Sequence, residues 1–169
     1  MADEAMVPIQ KITLGGATAS ISFNSIPSIY KDLWIMTNHI SAANDPFLRI
    51  RMNGATTNLY MRAFVENNGL SSVYRETGGP GSSIEINLYS QGSGVRASMA
   101  NIHLLDYANT SRFKSVLAQV YSGESDTTGD MTFAAGQLRT TSAINSVNLF
   151  LTSSSFSAGS QFQLWGVIG

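Results

Sequence analysis

The residues of this chain that could do acid–base chemistry are few and widely separated. Histidine occurs twice, at His39 and His103. A hydrolase of the Ser-His-Asp type needs a histidine beside a nucleophilic hydroxyl and an orienting carboxylate. Both histidines fall inside apolar segments that alternate like strands, where a histidine is more often packed than catalytic. We therefore assign no catalytic residue and expect that the protein is not an enzyme.

The carboxylates form neither a recognisable pair nor an ion site. A glycosidase needs two carboxylates that face each other across a cleft. The spacing of the acidic residues selects no such pair among Glu66, Glu76, Glu85, Asp106, Glu124, Asp126 and Asp130. The last three lie close together in sequence, but the spacing of an EF-hand calcium loop is missing. The chain also has no cysteine to supply a thiolate ligand, so we expect no metal and no cofactor.

The charge content argues against nucleic acid as a partner, and the short apolar runs argue against a membrane. Only 12% of the residues are charged and the net charge is -1, so there is no basic field to hold a nucleic-acid backbone. No stretch approaches the roughly 20 apolar residues that a membrane helix needs. The amino terminus lacks the apolar region of a secretory signal, which favours synthesis and release in the cytoplasm. Burying a neutral polar exterior costs little desolvation free energy, so such a surface is suited to being covered by other subunits.

The elements that must carry these side chains are strands. Residues 161–168 alternate between apolar and mostly polar side chains up to the carboxyl end, which predicts a closing strand. About ten short segments of this kind follow one another, without an amphipathic helix to make a parallel crossover. We predict an all-β fold, an antiparallel two-layer β-sandwich that is jelly-roll-like. Residues 1–8 are expected to form an N-terminal arm and residues 9–169 a single domain.

Turn signals predict how neighbouring strands pair. The Gly-Gly pair at 15–16 predicts that the strand at 17–23 returns beside the strand before it. The Asn-Gly pair at 53–54 likewise predicts that the strand at 58–65 returns beside its predecessor. The turn at 106–110 predicts a third hairpin.

Two further features concern side-chain direction. The alternation within residues 97–107 slips once, which indicates a bulge there. Trp34 and Trp165 could form a sugar-stacking platform, but aromatic residues in strands are normally core residues. We expect both tryptophans in the core.

Residues 66–83 are the least regular part of the sequence. Their glycine, asparagine and serine clusters predict a long exposed loop, and loops on rigid sandwiches often carry specificity. The candidate contact residues in this loop are Asn67, Asn68, Tyr74, Arg75 and Glu76.

Three stretches of the chain carry a resemblance to a known family. They are residues 9–33, which contain Ser25-Ile-Pro-Ser-Ile-Tyr-Lys-Asp-Leu33; the Leu105-Asp-Tyr-Ala-Asn109 turn before Lys114; and Ala158-Gly-Ser-Gln-Phe-Gln-Leu-Trp-Gly-Val-Ile168. Together they resemble a family of small β-sandwich virion proteins of tailed bacteriophages. The family's closing pattern has Tyr where this chain has Trp165, and the resemblance carries over no catalytic residue.

The resemblance implies a component of a virus particle, made in the host cytoplasm. The compact size, without heptads or fibre repeats, favours a capsid decoration (cement) protein. We expect a homotrimer that binds the major capsid protein or other virion proteins and stabilises the shell. The alternative is a tail, baseplate or receptor-binding module that contacts a host glycan through the loop at 66–83. An enzyme acting on cell-wall sugar would need the carboxylate pair that the spacing does not select.

Overall fold

The computed structural model describes residues 5–42, 46–57, 60–67, 81–86, 97–123 and 129–169, with residues 60–67, 123, 129 and 130 described by their backbone. Within these ranges the chain forms eleven strands: β1 Met6–Thr13, β2 Ser20–Phe23, β3 Asp32–His39, β4 Leu48–Met52, β5 Tyr60–Asn67, β6 Ile84–Glu85, β7 Ser98–Leu105, β8 Lys114–Gly123, β9 Gly129–Leu138, β10 Val147–Leu151 and β11 Gln161–Val167. Among the same residues there is no helix of the length and apolarity needed to cross a membrane.

The strands form two antiparallel sheets. The larger sheet has the order β1-β11-β3-β7-β8-β9-β5 and the smaller one the order β2-β10-β4-β6. Buried residues of both sheets belong to one hydrophobic cluster. This arrangement confirms the predicted all-β, antiparallel two-layer sandwich.

The strand order is that of a jelly roll with an extension. When β5, β8 and β9 are set aside, the remaining eight strands, counted along the chain, have the orders 1-8-3-6 and 2-7-4-5. This is the double Greek-key order of a jelly roll. The three other strands lengthen the larger sheet on the far side of β7, so that sheet has an outer surface much wider than the smaller sheet.

Period-two alternation places the core between the sheets. In β3, Leu33 and Ile35 point inward and are fully buried, while Trp34 between them is half-buried on the other side. From the smaller sheet, Ile50 of β4 and Leu149 of β10 are also fully buried. Each such side chain contributes about 1.5–3 kcal/mol through burial, so the alternation is what holds the two layers together.

Two of the three predicted hairpins are wrong. The Gly-Gly pair at 15–16 connects strands of different sheets, because β1 pairs with β11 whereas β2 pairs with β10. Beyond this pair, the backbone N–H of Thr18 donates to the carbonyl of Phe156, which leads the chain toward the second layer. Only there can Ile21 and Phe23 face the core from the opposite side.

The Asn-Gly turn at 53–54 forms, but it joins different sheets as well. Asn53 and Gly54 have φ values of 52° and 62°, and β5 then pairs with β9 in the larger sheet. The Asn53 side chain forms hydrogen bonds with the segment before β10. Its Oδ1 accepts from the backbone N–H groups of Asn145 and Ser146 at 2.9 and 3.2 Å. The turn therefore anchors a neighbouring loop instead of closing a hairpin.

The third hairpin, between β7 and β8, is confirmed, but the predicted bulge is not in β7. The pairings of β7 with β3 and with β8 run without interruption. The apparent slip arises because Met99 is an exposed apolar residue on the outer side. A register shift occurs instead in β1, between Pro8 and Gln10, where proline has no N–H to donate.

The segment expected to be an N-terminal arm, residues 1–8, contains the start of a strand: β1 begins at Met6.

Candidate binding surface

The most distinctive surface lies on the outer side of the sheet extension. Eight large apolar side chains are exposed among the described residues, and five of them stand on three adjacent strands. We call these five residues the apolar face: Met99 of β7, Leu117 and Tyr121 of β8, and Met131 and Phe133 of β9. Their exposed fractions lie between 46% and 53%. Clustered exposed apolar residues of this kind mark interaction sites.

Strand register brings these side chains together. Met99 lies opposite Tyr121, and Tyr121 lies opposite Met131, so the three form one line across three strands. Directly opposed side chains in an antiparallel sheet are about 5 Å apart at Cβ. Phe133 and Leu117 stand on the same side, one and two rows further along. The apolar face is therefore continuous across β7, β8 and β9.

The polar residues between these side chains are neutral. The outward positions of β7, β8 and β9 include the amides of Asn101, Gln119 and Gln137, and no Asp, Glu, Lys or Arg. An amide both donates and accepts hydrogen bonds. Burying this surface would therefore cost no desolvation of a full charge.

The two tryptophans lie beside the apolar face, which corrects the expectation that they are core residues. Trp34 of β3 and Trp165 of β11 are direct cross-strand neighbours, and both are half-buried on the outer side of the larger sheet. Next across the sheet, the His103 ring stacks on Trp34 with centroids 5.0 Å apart. The inward positions are instead filled by Leu33, Ile35, Thr37 and His39 in β3 and by Phe162 and Leu164 in β11. The two indoles therefore lie on the opposite side of the sheet from the core.

His103 also approaches a carboxylate. Its Nε2 lies 3.3 Å from Oδ2 of Asp32, but the atoms are not aligned as a hydrogen bond. The other oxygen of Asp32 accepts from the backbone N–H of Asp106 at 2.7 Å. The ring against His103 belongs to Trp34, which has no nucleophilic oxygen. The arrangement therefore fixes the turn after β7 and positions the Trp34 ring.

His39 is a core residue. It is fully buried, its Nδ1 lies 3.0 Å from Oγ1 of Thr37, and its ring contacts those of Phe156 and Phe162. Burial lowers the pKa of His39 to about 4. The ring is therefore neutral at pH 7, and its role is to pack and to hydrogen-bond.

Glu85, like Asp32, makes structural contacts through its carboxylate. Oε2 of Glu85 accepts from Nε and from a terminal nitrogen of Arg49, at 2.9 and 2.6 Å, which ties β6 to β4. Among the described residues there is no group of three or more histidines, aspartates or glutamates that could hold a metal ion. Glu76, Glu124 and Asp126 lie outside the described residues.

The turn in the virion-protein resemblance has a structural role. Tyr107 is fully buried and its hydroxyl donates to the carbonyl of Pro27. Lys114 is also buried, and its Nζ donates to the carbonyls of Asn109, Arg112 and Thr141. Burial lowers the pKa of Lys114, and the nearby Asp106 charge opposes this shift. Tyr107 and Lys114 thus hold the turn between β7 and β8.

The predicted contact loop is only partly described. Asn67 is the last residue of β5 and pairs with Met131 of β9, so the strand includes the first two residues of the predicted loop, Glu66 and Asn67. Asn68, Tyr74, Arg75 and Glu76 lie outside the described residues.

A groove lies at the bulge in β1. Its volume is about 300 Å³, and its lining includes Pro8, Lys11, Gln163 and Trp165. The groove is therefore lined by the indole of Trp165, the two glutamines Gln10 and Gln163, and Lys11.

The apolar face was not predicted from the sequence, although a signal for it was present. Both sets of alternating residues in β8 are apolar: Val116 and Val120 point inward, whereas Leu117 and Tyr121 point outward. A strand with two apolar sides is typical of full burial. In this strand the second side is exposed instead.

Comparisons with known proteins leave the family open. No protein-family model matches the chain, and no curated protein matches it. Solved structures that it resembles include the crystal structure of a protein of unknown function from Shewanella oneidensis MR-1. That protein is 10% identical, the match covers 95% of this chain and 75% of that one, and the TM-score is 0.26. A likeness at this level supports no argument about function.

Proposed function

We propose that this chain is a structural protein of a bacteriophage virion, in which it acts as a capsid decoration (cement) protein. In this role it binds the assembled shell beside the major capsid protein and stabilises it as a homotrimer. It works through binding energy and not through turnover. It is made in the host cytoplasm and ends in the particle.

One observation supports a binding role above all others. Met99, Leu117, Tyr121, Met131 and Phe133 are about half exposed on one continuous, uncharged surface. An isolated domain gains nothing from exposing such side chains, whereas an assembled one gains about 25 cal/mol for each Å² of apolar area that a partner covers.

Two further features support the cement role. The resemblance to phage virion proteins covers most of the chain, and its motif residues Tyr107 and Lys114 hold the turn that starts β8. Two titratable residues also have structural contacts: His39 is packed in the core beside Thr37, and Glu85 pairs with Arg49. A rigid jelly roll with a neutral exterior is suited to filling a site between other subunits.

The test compares virus shells assembled with and without the protein. Shells from a phage whose genome encodes the chain are heated, and DNA release is followed with a dye that does not enter intact shells. We expect shells without the protein to release DNA at a lower temperature, and added protein to restore the original value. Equal release temperatures would remove the cement role.

A second candidate, a tail or receptor-binding module for a host glycan, is favoured by the tryptophan pair. Trp34 and Trp165 are adjacent and half-buried, and Trp165 lines the groove together with Lys11 and Gln163. Indole faces stack on sugar rings, while amide and ammonium groups bond sugar hydroxyls.

A glycan array probed with the labelled full chain tests this candidate. Binding that is lost in Trp165→Ala but kept in Tyr121→Ala would support it. No bound glycan, or equal loss in both variants, would contradict it.

A further inference from the structure

We propose that the apolar face packs against another copy of this chain, an inference that rests on the proposed binding role of that face. The second copy would cover a surface that is otherwise exposed to solvent.

The size of the outer surface fits such an interface. Strands are spaced by about 4.8 Å and rise about 3.3 Å per residue, so the five strands from β11 to β9 present roughly 600 Å² in projection over eight residues. A stable interface takes about 800 Å² of accessible surface from each partner. Because side chains make the real surface larger than its projection, the outer side of this sheet can supply that share.

The charge pattern favours a copy of the chain over a charged partner. The outward positions of β7, β8 and β9 include no charged residue, and only 12% of the whole chain is charged. The outer surface of another copy is therefore as neutral as this one. Asn101 and Gln119 stand between the apolar side chains, and their amides can pair with amides of the same kind. Like-charge repulsion, which usually keeps identical surfaces apart, does not arise across this face.

Analytical ultracentrifugation of the full chain tests the inference. We expect a species heavier than the 18.1 kDa chain. A dimer would mean that the apolar faces of the two copies pack against each other. A trimer would mean that the apolar face of each copy packs against a different surface of the next copy. We expect Leu117→Lys to weaken association by about 100-fold or more, because the ammonium group would be buried without a partner.

A second variant and a matched control keep the test decisive. Gln119→Lys changes an exposed polar residue on the same surface, so it should fold normally and also weaken association. Ser20→Lys adds the same charge at an exposed position of β2 in the other sheet and should leave association unchanged. A monomeric wild-type chain, or an oligomer that survives Gln119→Lys, would overturn the inference.

Failure of this inference can be told apart from failure of the cement role. A chain that self-associates through the apolar face but leaves the heat resistance of shells unchanged would support the inference and remove the cement role. A monomeric chain that still stabilises shells would support the cement role and overturn the inference that the apolar face binds another copy.

Discussion

The indole of Trp34 and the imidazole of His103 stack on the outer side of the larger sheet, with ring centroids 5.0 Å apart and planes inclined by 29°. The two residues are direct cross-strand partners in β3 and β7. Asp32 approaches His103 as well, with Oδ2 3.3 Å from Nε2. The Trp34 ring is thereby held in one orientation between Trp165 and His103.

Replacing His103 should release the Trp34 ring. We expect His103→Ala to lower the free energy of unfolding by about 0.5–1.5 kcal/mol, because an aromatic stack of this kind contributes that much. The chain has two tryptophans, so in a Trp165→Phe background the fluorescence reports Trp34 alone and should shift to the red. Asn101→Ala, a change at the next outward position of β7, is the matched control and should shift neither quantity. An unshifted spectrum in His103→Ala would show that the stack does not hold Trp34.

Stability should fall in acid because of His39. Burial lowers the pKa of His39 in the folded protein to about 4 from an ordinary value of 6.5. The unfolded chain therefore binds a proton at higher pH than the folded one, and stability declines as the pH falls from about 6.5 toward 4. The full loss is about 3 kcal/mol, from 1.36 kcal/mol for each pKa unit.

The His39→Gln variant isolates this effect. It keeps a polar group near Thr37 and removes the titration, so its unfolding free energy should be lower at pH 7 but should change less between pH 7 and pH 4. Denaturant titrations of both proteins at several pH values give the difference in slope. Parallel pH profiles would rule out His39 as the cause.

The closing strand should not tolerate a methyl group at Gly166. A Cβ built there would lie 2.3 Å from Cγ of Tyr30, far inside contact distance. We expect Gly166→Ala to lower the free energy of unfolding by about 1–3 kcal/mol, because the ring of Tyr30 must move off the core. Gly16→Ala, where nothing lies within 4 Å of the added atom, is the matched control. Equal stability of the two variants in a denaturant titration would contradict this packing.

Local sequence predicted the strands well because alternation is a local property. The inward set of β11, which includes Phe162 and Leu164, and the outward set, which includes Gln163, could be recognised from spacing alone. The same spacing does not say which set of β3 faces the core, because Trp34 and Ile35 are both apolar. The expectation that Trp34 is a core residue is wrong for this reason. Trp165 lies in the outward set of β11 with Gln163, so the spacing itself indicates that it faces away from the core.

Strand pairing was harder to predict than strand position. The turns at 15–16 and 53–54 have the residues of a hairpin, yet each leads into the other sheet. Turn chemistry fixes only the local change of direction, whereas the partner of a strand depends on where its apolar side can be buried. The hairpin at the turn before Lys114 was predicted correctly, since the strands on either side of this turn, β7 and β8, both belong to the larger sheet.

Peroxide oxidation of the native chain tests the central claim most directly, because methionine sulfoxide forms at a rate set by exposure. Met99 and Met131 belong to the apolar face and are 53% and 49% exposed, while Met52 is fully buried and serves as the internal reference. Mass spectrometry of peptides gives each rate over a range of protein concentrations. If the face binds a partner copy, Met99 and Met131 oxidise quickly in dilute solution and slow toward the rate of Met52 as concentration rises. Rates for these two residues that stay fast at every concentration would contradict the packing of this face against a partner copy.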